Sequence, residues 1–376
     1  MAKAVYVGVG SKARKMKKAY IGIGGKARKV KKMYIGDSSG KARLCYSAEL
    51  EKVGMAENLS DERRTVAASV GNYALFAGGI GHGSFIDRAH DAVDAYSASL
   101  TKSMPTALST VRSSHAGASV EGYALFAGGA DGQRTVDIVD SVDAYSASLT
   151  RTAAATLSGE RVWMGAASLE GRAFFAGGAS SNMNSDNKCA NVEVYNSTLT
   201  RTAATNLSVA RYYPLTATIG SRVLFAGGTG NTITKVVDVY STSLTRTAAA
   251  DLSRPTSGDA STVVGNYAIF TSDGNTSCDV YNASLTKTTV TLLSVARVNM
   301  SAGTVGDYAL FAGGGTNSPY SDVVDACDTS LTRTTVTTLD YPRSGLSSAT
   351  VGDYLLFAGG RIDSENYSSD VFVYTA

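Results

Sequence analysis

A seven-fold repeat is the feature that most constrains the fold of this chain. The string FAGG occurs six times, and a degenerate seventh copy, Phe-Thr-Ser-Asp, begins at Phe270. Successive copies begin 41 to 50 residues apart. A repeat of this length with four short apolar segments predicts one four-stranded sheet, and sheets that cannot bury both faces alone must stack on one another. Radial stacking predicts an all-β, seven-bladed β-propeller.

Each segment of the repeat has its own composition. The segment before YALF consists of small residues, as in 116–120, and only small side chains fit where blades converge on an axis. The next segment, YALFA, is apolar at nearly every position, which is typical of a strand covered on both faces. The Gly-Gly pair that follows allows positive φ angles. Asp273-Gly274 predicts a tight hairpin turn in the copy that lacks this pair.

Two further motifs complete the repeat, V-[DE]-x-Y and then L-S-x-x-R. The order of small strand, strand ending in Gly-Gly, V-[DE]-x-Y strand and L-S-x-x-R resembles the Kelch repeat of β-propellers over residues 44–376. This resemblance implies a Kelch-like propeller. Kelch repeats usually carry a tryptophan seven residues after the tyrosine, where this chain has, for example, Thr152 after Tyr145. The difference implies a divergent branch.

The two ends of the propeller region predict how the ring closes. The last copy stops in its third strand, at residues 371–376, and so lacks a fourth. Residues 44–63 match 94–112 almost position for position. We therefore predict that a strand near 50–56 pairs with the C-terminal strand and completes the seventh blade, which removes two open sheet edges. The predicted domains are an arm, 1–43, and a propeller, 44–376.

The charge of the chain is divided between these two regions. Residues 1–46 contain 13 lysines and arginines and one acid, Asp37, which leaves 22 basic and 31 acidic residues for the rest. The same basic segment repeats with a period of 14 residues, marked by Tyr6, Tyr20 and Tyr34. Each copy predicts an apolar strand, a glycine turn and a basic strand, and copies this short do not fold alone. We therefore expect a basic β-repeat arm that attaches an acidic propeller to something else.

The arm resembles tandem YIGxGGKARKVKK segments of tail and baseplate proteins from phages and prophages of Gram-positive bacteria. This resemblance implies docking to other virion structural proteins, within a homo-oligomeric assembly. The residues expected to dock are Tyr6, Tyr20, Tyr34, Lys12, Arg14, Lys26 and Arg28. Nucleic-acid binding is the alternative, but the regular glycine spacing favours a β-structured peg, because a purely electrostatic arm needs no strand periodicity.

The sequence gives little support to an enzyme. Gly25-Lys26 is followed by Ala27 and so lacks the hydroxyl that a phosphate-binding loop places on magnesium. The three histidines, His82, His90 and His115, are confined to the first two blades. The first two lie in or near the loop after the first FAGG, close to Asp87 and Asp91, and suggest solvated loop residues rather than a metal site. No catalytic triad or carboxylate pair stands out. We predict no catalytic residue, no metal and no cofactor.

The remaining expectation is a recognition face. Loops between strands two and three, and loops between blades, open on one face of a propeller, and loops often carry recognition residues. Aromatic residues suit both protein anchors and sugar stacking, although packing between blades is an equal alternative. The L-S-x-x-R arginines are expected to ring this face, although a residue that recurs in six copies also suits a structural role. The residues predicted to bind are Trp163, Tyr212, Tyr213, Tyr341, Arg112, Arg161, Arg211, Arg297 and Arg343.

Together these features predict a non-enzymatic phage or prophage virion component, of a tail, baseplate or fibre. The propeller is expected to bind a host-surface glycan or another virion protein while the arm docks into the particle. The alternatives are a bacterial Kelch-type adaptor and a carbohydrate-active enzyme. The start of the chain lacks the apolar run of a signal peptide, and no stretch of 18 apolar residues predicts membrane insertion. We therefore expect the protein in the virion, assembled in the bacterial cytoplasm.

Overall fold

The structure is a computed structural model. It describes residues 50–82, 88–131, 137–180, 187–315 and 319–376, together with the backbone of six strands between residues 6 and 47. All regular elements in these ranges are β-strands, and the strands from Glu51 onward form seven antiparallel four-stranded sheets. The innermost strands of neighbouring sheets contact one another in order, and the innermost strand of the last sheet contacts that of the first. The protein is an all-β, seven-bladed β-propeller preceded by a short β-repeat arm.

The arm strands pair into three separate hairpins. They are β1 (Tyr6–Val9) with β2 (Lys12–Lys15), β3 (Tyr20–Ile23) with β4 (Lys26–Lys29), and β5 (Lys32–Gly36) with β6 (Ala42–Ser47). The first two follow the predicted pattern of an apolar strand and a basic strand in each copy. The third hairpin includes residues 44–47, which the sequence analysis assigned to the propeller. The propeller strands begin at Glu51, so the boundary lies later than residue 44.

Blades 1 to 3 run from the axis outward in chain order. They are β8 (Arg63–Val70), β9 (Tyr73–Gly81), β10 (Arg88–Ser97), β11 (Lys102–Ser103); β12 (Ala116–Val120), β13 (Tyr123–Ala127), β14 (Val142–Ser146), β15 (Arg151–Ala153); and β16 (Gly165–Leu169), β17 (Arg172–Ala176), β18 (Val192–Tyr195), β19 (Arg201–Ala204). The small-residue segments are the innermost strands, and the YALFA segments lie in mid-blade. Both positions agree with the sequence prediction.

Blades 4 to 6 repeat this order. They are β20 (Leu215–Ile219), β21 (Arg222–Ala226), β22 (Val237–Tyr240), β23 (Arg246–Ala248); β24 (Ser261–Val264), β25 (Tyr267–Phe270), β26 (Ser277–Asn282), β27 (Lys287–Thr291); and β28 (Ser301–Val305), β29 (Tyr308–Ala312), β30 (Val324–Asp328), β31 (Arg333–Thr335). Blade 5 lacks the Gly-Gly pair, and Asp273-Gly274 makes a turn there with Gly274 at a φ of 59°.

Blade 7 joins the two ends of the propeller region. It contains β32 (Ser347–Val351), β33 (Tyr354–Ala358), β34 (Val371–Thr375) and, outermost, β7 (Glu51–Met55). Phe372 pairs with Met55, and Tyr374 with Lys52. The Lys52 ammonium also lies 2.6 Å from Asp340. An N-terminal strand therefore covers the edge that the C-terminal strand would otherwise expose.

The core lies between adjacent blades. The FAGG phenylalanine and the V-x-x-Y tyrosine of one blade meet edge to face, as Phe126 and Tyr145 do with ring centroids 6.0 Å apart. They pack on apolar side chains of the preceding blade, such as Leu75 and Ala77. Such a cluster forms at each of the seven junctions, including the one between blades 7 and 1. Each blade thus buries its apolar faces only when both neighbours are present.

Hydroxyl groups link the innermost strands around the axis. The Ser119 hydroxyl donates to the Ser69 carbonyl oxygen at 2.6 Å, and the Ser69 hydroxyl donates to the Thr350 carbonyl oxygen at 2.8 Å. Thr350 continues the series by donating to Thr304 at 2.9 Å. The sequence analysis explained the small residues of the innermost strands by the lack of space near the axis. The structure adds a second reason, which is hydrogen bonding between blades.

Candidate functional site at the axis of the propeller

A ring of residues in the left-handed conformation surrounds the axis on one face. They occupy the second position after the L-S-x-x-R segment, or after its L-S-R-P-T equivalent in blade 5, in every blade except blade 1. Their φ angles run from 52° to 68°: Ser114, Trp163, Tyr213, Gly258, Asn299 and Gly345. Hydrogen bonds join members of this ring across blades. The Trp163 amide donates to the Ser114 carbonyl oxygen at 3.0 Å, and the Tyr213 amide donates to the Trp163 carbonyl oxygen at 2.9 Å.

The conformation of two of these residues is costly. A bulky residue with positive φ is a backbone outlier, and strain of this kind costs on the order of 1–3 kcal/mol. Trp163 and Tyr213 have φ angles of 58° and 52°. The same conformation recurs at one leucine in each of six blades, from Leu100 to Leu331, so the φ angle belongs to the repeat and does not by itself mark a site. The aromatic rings of Trp163 and Tyr213 make these two residues candidates for a binding role.

Trp163, Tyr212 and Tyr213 form an aromatic cluster. The Trp163 centroid lies 5.3 Å from each tyrosine ring, and the two tyrosine rings are 5.4 Å apart. Trp163 and Tyr212 also pack on a small buried cluster that includes Val162 and Ala179. Tyr213 remains 41% exposed. The sequence prediction left packing and binding open, and the structure shows that Trp163 and Tyr212 are partly buried while Tyr213 presents surface to solvent.

A pocket of about 460 Å³ opens beside the aromatic cluster. We call it the axial pocket, and its lining includes Arg64, His115, Trp163, Tyr213, Asp259 and Leu346. These residues come from several blades, so the pocket exists only in the closed ring. Serine and threonine residues make up much of the remaining wall: Thr65, Ser113, Ser114, Thr216 and Ser261. The pocket thus combines aromatic surface with hydroxyl groups, which is a composition typical of small-molecule sites.

Arg64 places a positive charge at this pocket, and the sequence prediction missed it. Its side chain is exposed, and it lies near Tyr213: burial raises the pKa of that tyrosine, and the positive charge of Arg64 opposes the shift. Within the described residues, no carboxylate lies within 4.0 Å of its guanidinium. Arg64 directly follows the arginine of the first L-S-x-x-R segment. The residues after this motif were the signal that selected Trp163 and Tyr213, and they would also have selected Arg64.

Two polar residues replace apolar ones at the wall of the axial pocket. His115 and Asp259 occupy the third position after the motif, where other blades have Met164, Met300 or Leu346. Burial lowers the pKa of His115 to about 3, so its imidazole is neutral at pH 7. Burial raises the pKa of Asp259 to about 7. Both Asp259 oxygens are covered.

The prediction that the L-S-x-x-R arginines line a ligand-binding face is wrong. Arg112, Arg161, Arg211, Arg297 and Arg343 are between 0% and 5% exposed. Each pairs with the carboxylate of the V-[DE]-x-Y motif in the same blade, or with its equivalent Asp370 in blade 7. The reason is electrostatic, because a buried charge requires a partner of opposite sign. These arginines therefore have the structural role that the sequence analysis gave as the alternative to ligand binding.

Tyr341 lies away from the axis. It is 64% exposed and lines a separate pocket of about 570 Å³, together with Tyr320 and Ile362. This outer pocket is formed by loops of blades 6 and 7 and by Asn58 and Glu62, which precede blade 1. The structure therefore does not bring Tyr341 together with Trp163, Tyr212 and Tyr213. The predicted recognition residues divide between two pockets.

Among the described residues there is no cluster of metal ligands and no membrane-spanning helix. His90 lies 3.6 Å from Asp61 through Nδ1, but no group of three potential metal ligands occurs within the ranges that the structure describes. Across these same ranges, no helix is long and apolar enough to cross a bilayer. The residues predicted to dock the arm have described backbones, and their side chains lie outside the described part of the chain: Tyr6, Tyr20, Tyr34, Lys12, Arg14, Lys26 and Arg28.

Comparison with known proteins supports the fold. A solved structure titled "Structure of YjhT" is similar to this chain, with a TM-score of 0.55 and 12% sequence identity. The match covers 85% of this chain and 97% of that one. No family model matches the sequence, and no curated protein matches it either. At this identity the likeness shows a shared β-propeller fold, and the Kelch type stays a prediction.

Proposed function

We propose that this protein is a non-enzymatic recognition component of a phage or prophage virion. In this proposal the propeller binds a host-surface glycan at the axial pocket, and the basic arm docks into the tail, baseplate or fibre. A propeller fold is consistent with an interaction role. The observation that carries the proposal is the aromatic cluster, because the fold places the rings of Trp163 and Tyr213 together beside an open pocket.

The chemistry of the axial pocket favours a sugar. Aromatic rings stack on the apolar faces of pyranose rings, while hydroxyl and amide groups exchange hydrogen bonds with sugar hydroxyls. Tyr213 provides partly exposed ring surface, and Ser113, Ser114 and Thr216 provide hydroxyls nearby. Backbone groups of the left-handed ring hold these side chains in place without help from a ligand. A rigid pocket of this kind lowers the entropic cost of binding.

The arm supports the attachment half of the proposal. Its three hairpins are two-stranded, and isolated two-stranded hairpins are marginally stable in water. They carry most of the basic residues of a segment with 13 lysines and arginines. Hairpins of this type gain stability when their edges and faces pack on a partner, and an acidic virion protein matches their charge. The resemblance to tail and baseplate segments points to the same kind of partner.

A pair of tyrosine variants tests the glycan-binding half. We expect Tyr213→Ala to weaken binding of the purified protein to host cell-wall glycans on the order of tenfold, because it removes a stacking surface. Tyr341→Ala is the matched control, since it removes an exposed tyrosine from the outer pocket. Melting temperatures of both variants should stay within a few degrees of the parent. Loss of binding only in Tyr341→Ala would move the site to the outer pocket, and binding to no glycan would refute this half.

The attachment half requires assembled particles. If the arm docks as a β-structured peg, the protein should remain on purified particles in 1 M salt, because strand pairing and apolar contacts are screened little. Exposed contacts to nucleic acid weaken steeply over the same range. Release at high salt, or absence of the protein from particles of the host's prophage, would contradict the proposal.

A further inference from the structure

Arg64 is the residue that places an accessible positive charge at the axial pocket. It is exposed at the pocket, it interacts with Tyr213, and none of the described carboxylates pairs with it. The neighbouring Arg63 contrasts with it, since Arg63 is buried and lies 2.7 Å from Asp94. Arg64 also differs from the residues at the same position of the other repeats, which are serine, valine or tyrosine. A cation that pairs with no described carboxylate, at a position where the other blades have no charge, is available to a ligand.

The neighbouring blade 7 leaves room for this guanidinium at Gly345, the residue before the pocket-lining Leu346. A Cβ atom on Gly345 of blade 7 would lie 2.4 Å from Arg64 Nε and 2.7 Å from Cζ. Any side chain at residue 345 would therefore displace Arg64 from its position beside the axis. Gly345 also belongs to the left-handed ring, with a φ of 67°. Blade 7 thus fixes where the blade 1 arginine lies.

The other titratable groups of the wall offset this charge only in part. His115 is neutral because burial lowers its pKa to about 3. Burial raises the pKa of Asp259 to about 7, so this carboxyl is ionised only in part at pH 7, and both of its oxygens are covered. The aromatic cluster and the hydroxyl groups carry no charge. Among the described residues, the axial pocket therefore has one accessible charge, and it is positive.

We propose that the axial pocket takes a carboxylated sugar, whose carboxylate pairs with Arg64 while its ring lies against Tyr213. This inference rests on the proposed glycan-binding function and specifies its ligand. A planar guanidinium binds a carboxylate through two parallel N–H···O bonds. A single arginine matches a single negative charge, whereas phosphate groups are usually bound by several basic residues or by a nest of backbone amides. A carboxylated sugar also uses the stacking surface, which an acidic peptide does not require.

Paired glycans test the proposal on the full-length protein. The probes are oligosaccharides containing glucuronate, galacturonate or N-acetylmuramate, each compared with its carboxyl-reduced counterpart, together with a sulfated oligosaccharide and a polyglutamate peptide. We expect binding of at least one carboxylated probe and a loss on the order of 10- to 100-fold when its carboxyl is reduced, since one charge-assisted interaction is removed.

Three arginine variants complete the test. Arg64→Gln should lose binding to the same extent as carboxyl reduction, and it should bind the reduced glycan as the parent does. Arg64→Lys should recover only part of the affinity, because a lysine cannot form the bidentate pair. Arg254→Gln removes an exposed arginine outside the axial pocket and should change nothing.

The outcomes separate this inference from the function on which it rests. Equal binding of carboxylated and reduced glycans, or an unchanged affinity in Arg64→Gln, would overturn the carboxylate proposal while leaving glycan binding intact. Preference for the sulfated probe or for polyglutamate would overturn it in favour of another anion. Binding of no glycan at all would refute the proposed function itself.

Discussion

At the scale of single residues, the Gly-Gly pairs are contacts between blades as well as turns. Gly128 has a φ of 65°, and a Cβ atom there would lie 2.4 Å from the Arg161 carbonyl oxygen of the next blade. The amide of Gly129 donates to that same oxygen at 2.9 Å. The sequence correctly predicted positive φ at these glycines. It did not show that their missing side chains let a neighbouring backbone approach.

Two glycine substitutions separate conformation from contact. We expect Gly128→Ala to lower the free energy of unfolding by at least about 2 kcal/mol more than Gly122→Ala, because overpacking adds to the strain of positive φ. Gly122 is the control, since its φ is 84° and no atom lies within 4 Å of its Cβ position. Urea unfolding measures the difference. Equal effects would show that the close approach to Arg161 is not limiting.

Asp259 gives the protein a pH-dependent stability. Its pKa is raised from 3.8 to about 7 by burial, so the folded state binds this proton more tightly than the unfolded state does. The resulting stabilisation is complete below about pH 4 and is lost as the pH rises toward 7. We expect Asp259→Asn to melt several degrees above the parent at pH 8 and to show little advantage at pH 4. Asp251→Asn, at an exposed site, should show no such difference in thermal melts. An Asp259→Asn advantage independent of pH would contradict this account.

At the scale of elements, five of the seven blades (1, 2, 3, 4 and 6) are held by a carboxylate between two basic side chains. In blade 4, Asp238 lies 2.9 Å from Arg211 and 3.1 Å from Arg246. Asp238 also accepts hydrogen bonds from the amide and hydroxyl of Ser208, each at 3.0 Å. One carboxylate therefore connects the L-S-x-x-R loop, the third strand and the fourth strand. This explains why three separate motifs recur in register.

The two arginines of this group should differ in effect. Arg211→Leu leaves Asp238 buried without its inner partner, and breaking such a pair costs about 3–5 kcal/mol. Arg246 has a side chain that is 32% exposed, so Arg246→Leu should cost no more than about 1 kcal/mol. Urea titration of both variants measures the difference. Similar small costs would mean that water reaches Asp238 when Arg211 is absent.

At the scale of the whole molecule, closure depends on a strand from the other end of the chain. Residues 44–47 match the third strand of a blade in sequence, but β34 already fills that place in blade 7 with Phe372 and Tyr374. The segment 44–47 pairs instead with the nearby strand β5. Pattern alone could not distinguish these partners, because both offer the same alternation of residues.

Truncation tests this closure. We expect deletion of residues 1–49 to leave a soluble propeller that melts cooperatively, since β7 remains on β34. Deletion of residues 1–56 removes β7 and exposes the edge of β34, and an exposed edge strand promotes aggregation. Light scattering and thermal melts compare the two proteins. Equal solubility and melting temperature would show that the ring tolerates an open seventh blade.

The repeated sequence by itself determined the fold class, the number of blades and the order of strands within them. These depend on local periodicity and on motifs that recur in register, and such signals do not need distant contacts. Tertiary structure decided which of these residues are buried in ion pairs and which are accessible to a ligand. The arginines at 112 and 211 look like a surface ring in sequence, but their pairing with carboxylates some 30 residues away buries them. Arg64 and Gly345 lie far apart in the chain, and only closure of the ring packs them against each other beside the axial pocket. The site is a property of convergence at the axis, where side chains from separate blades meet.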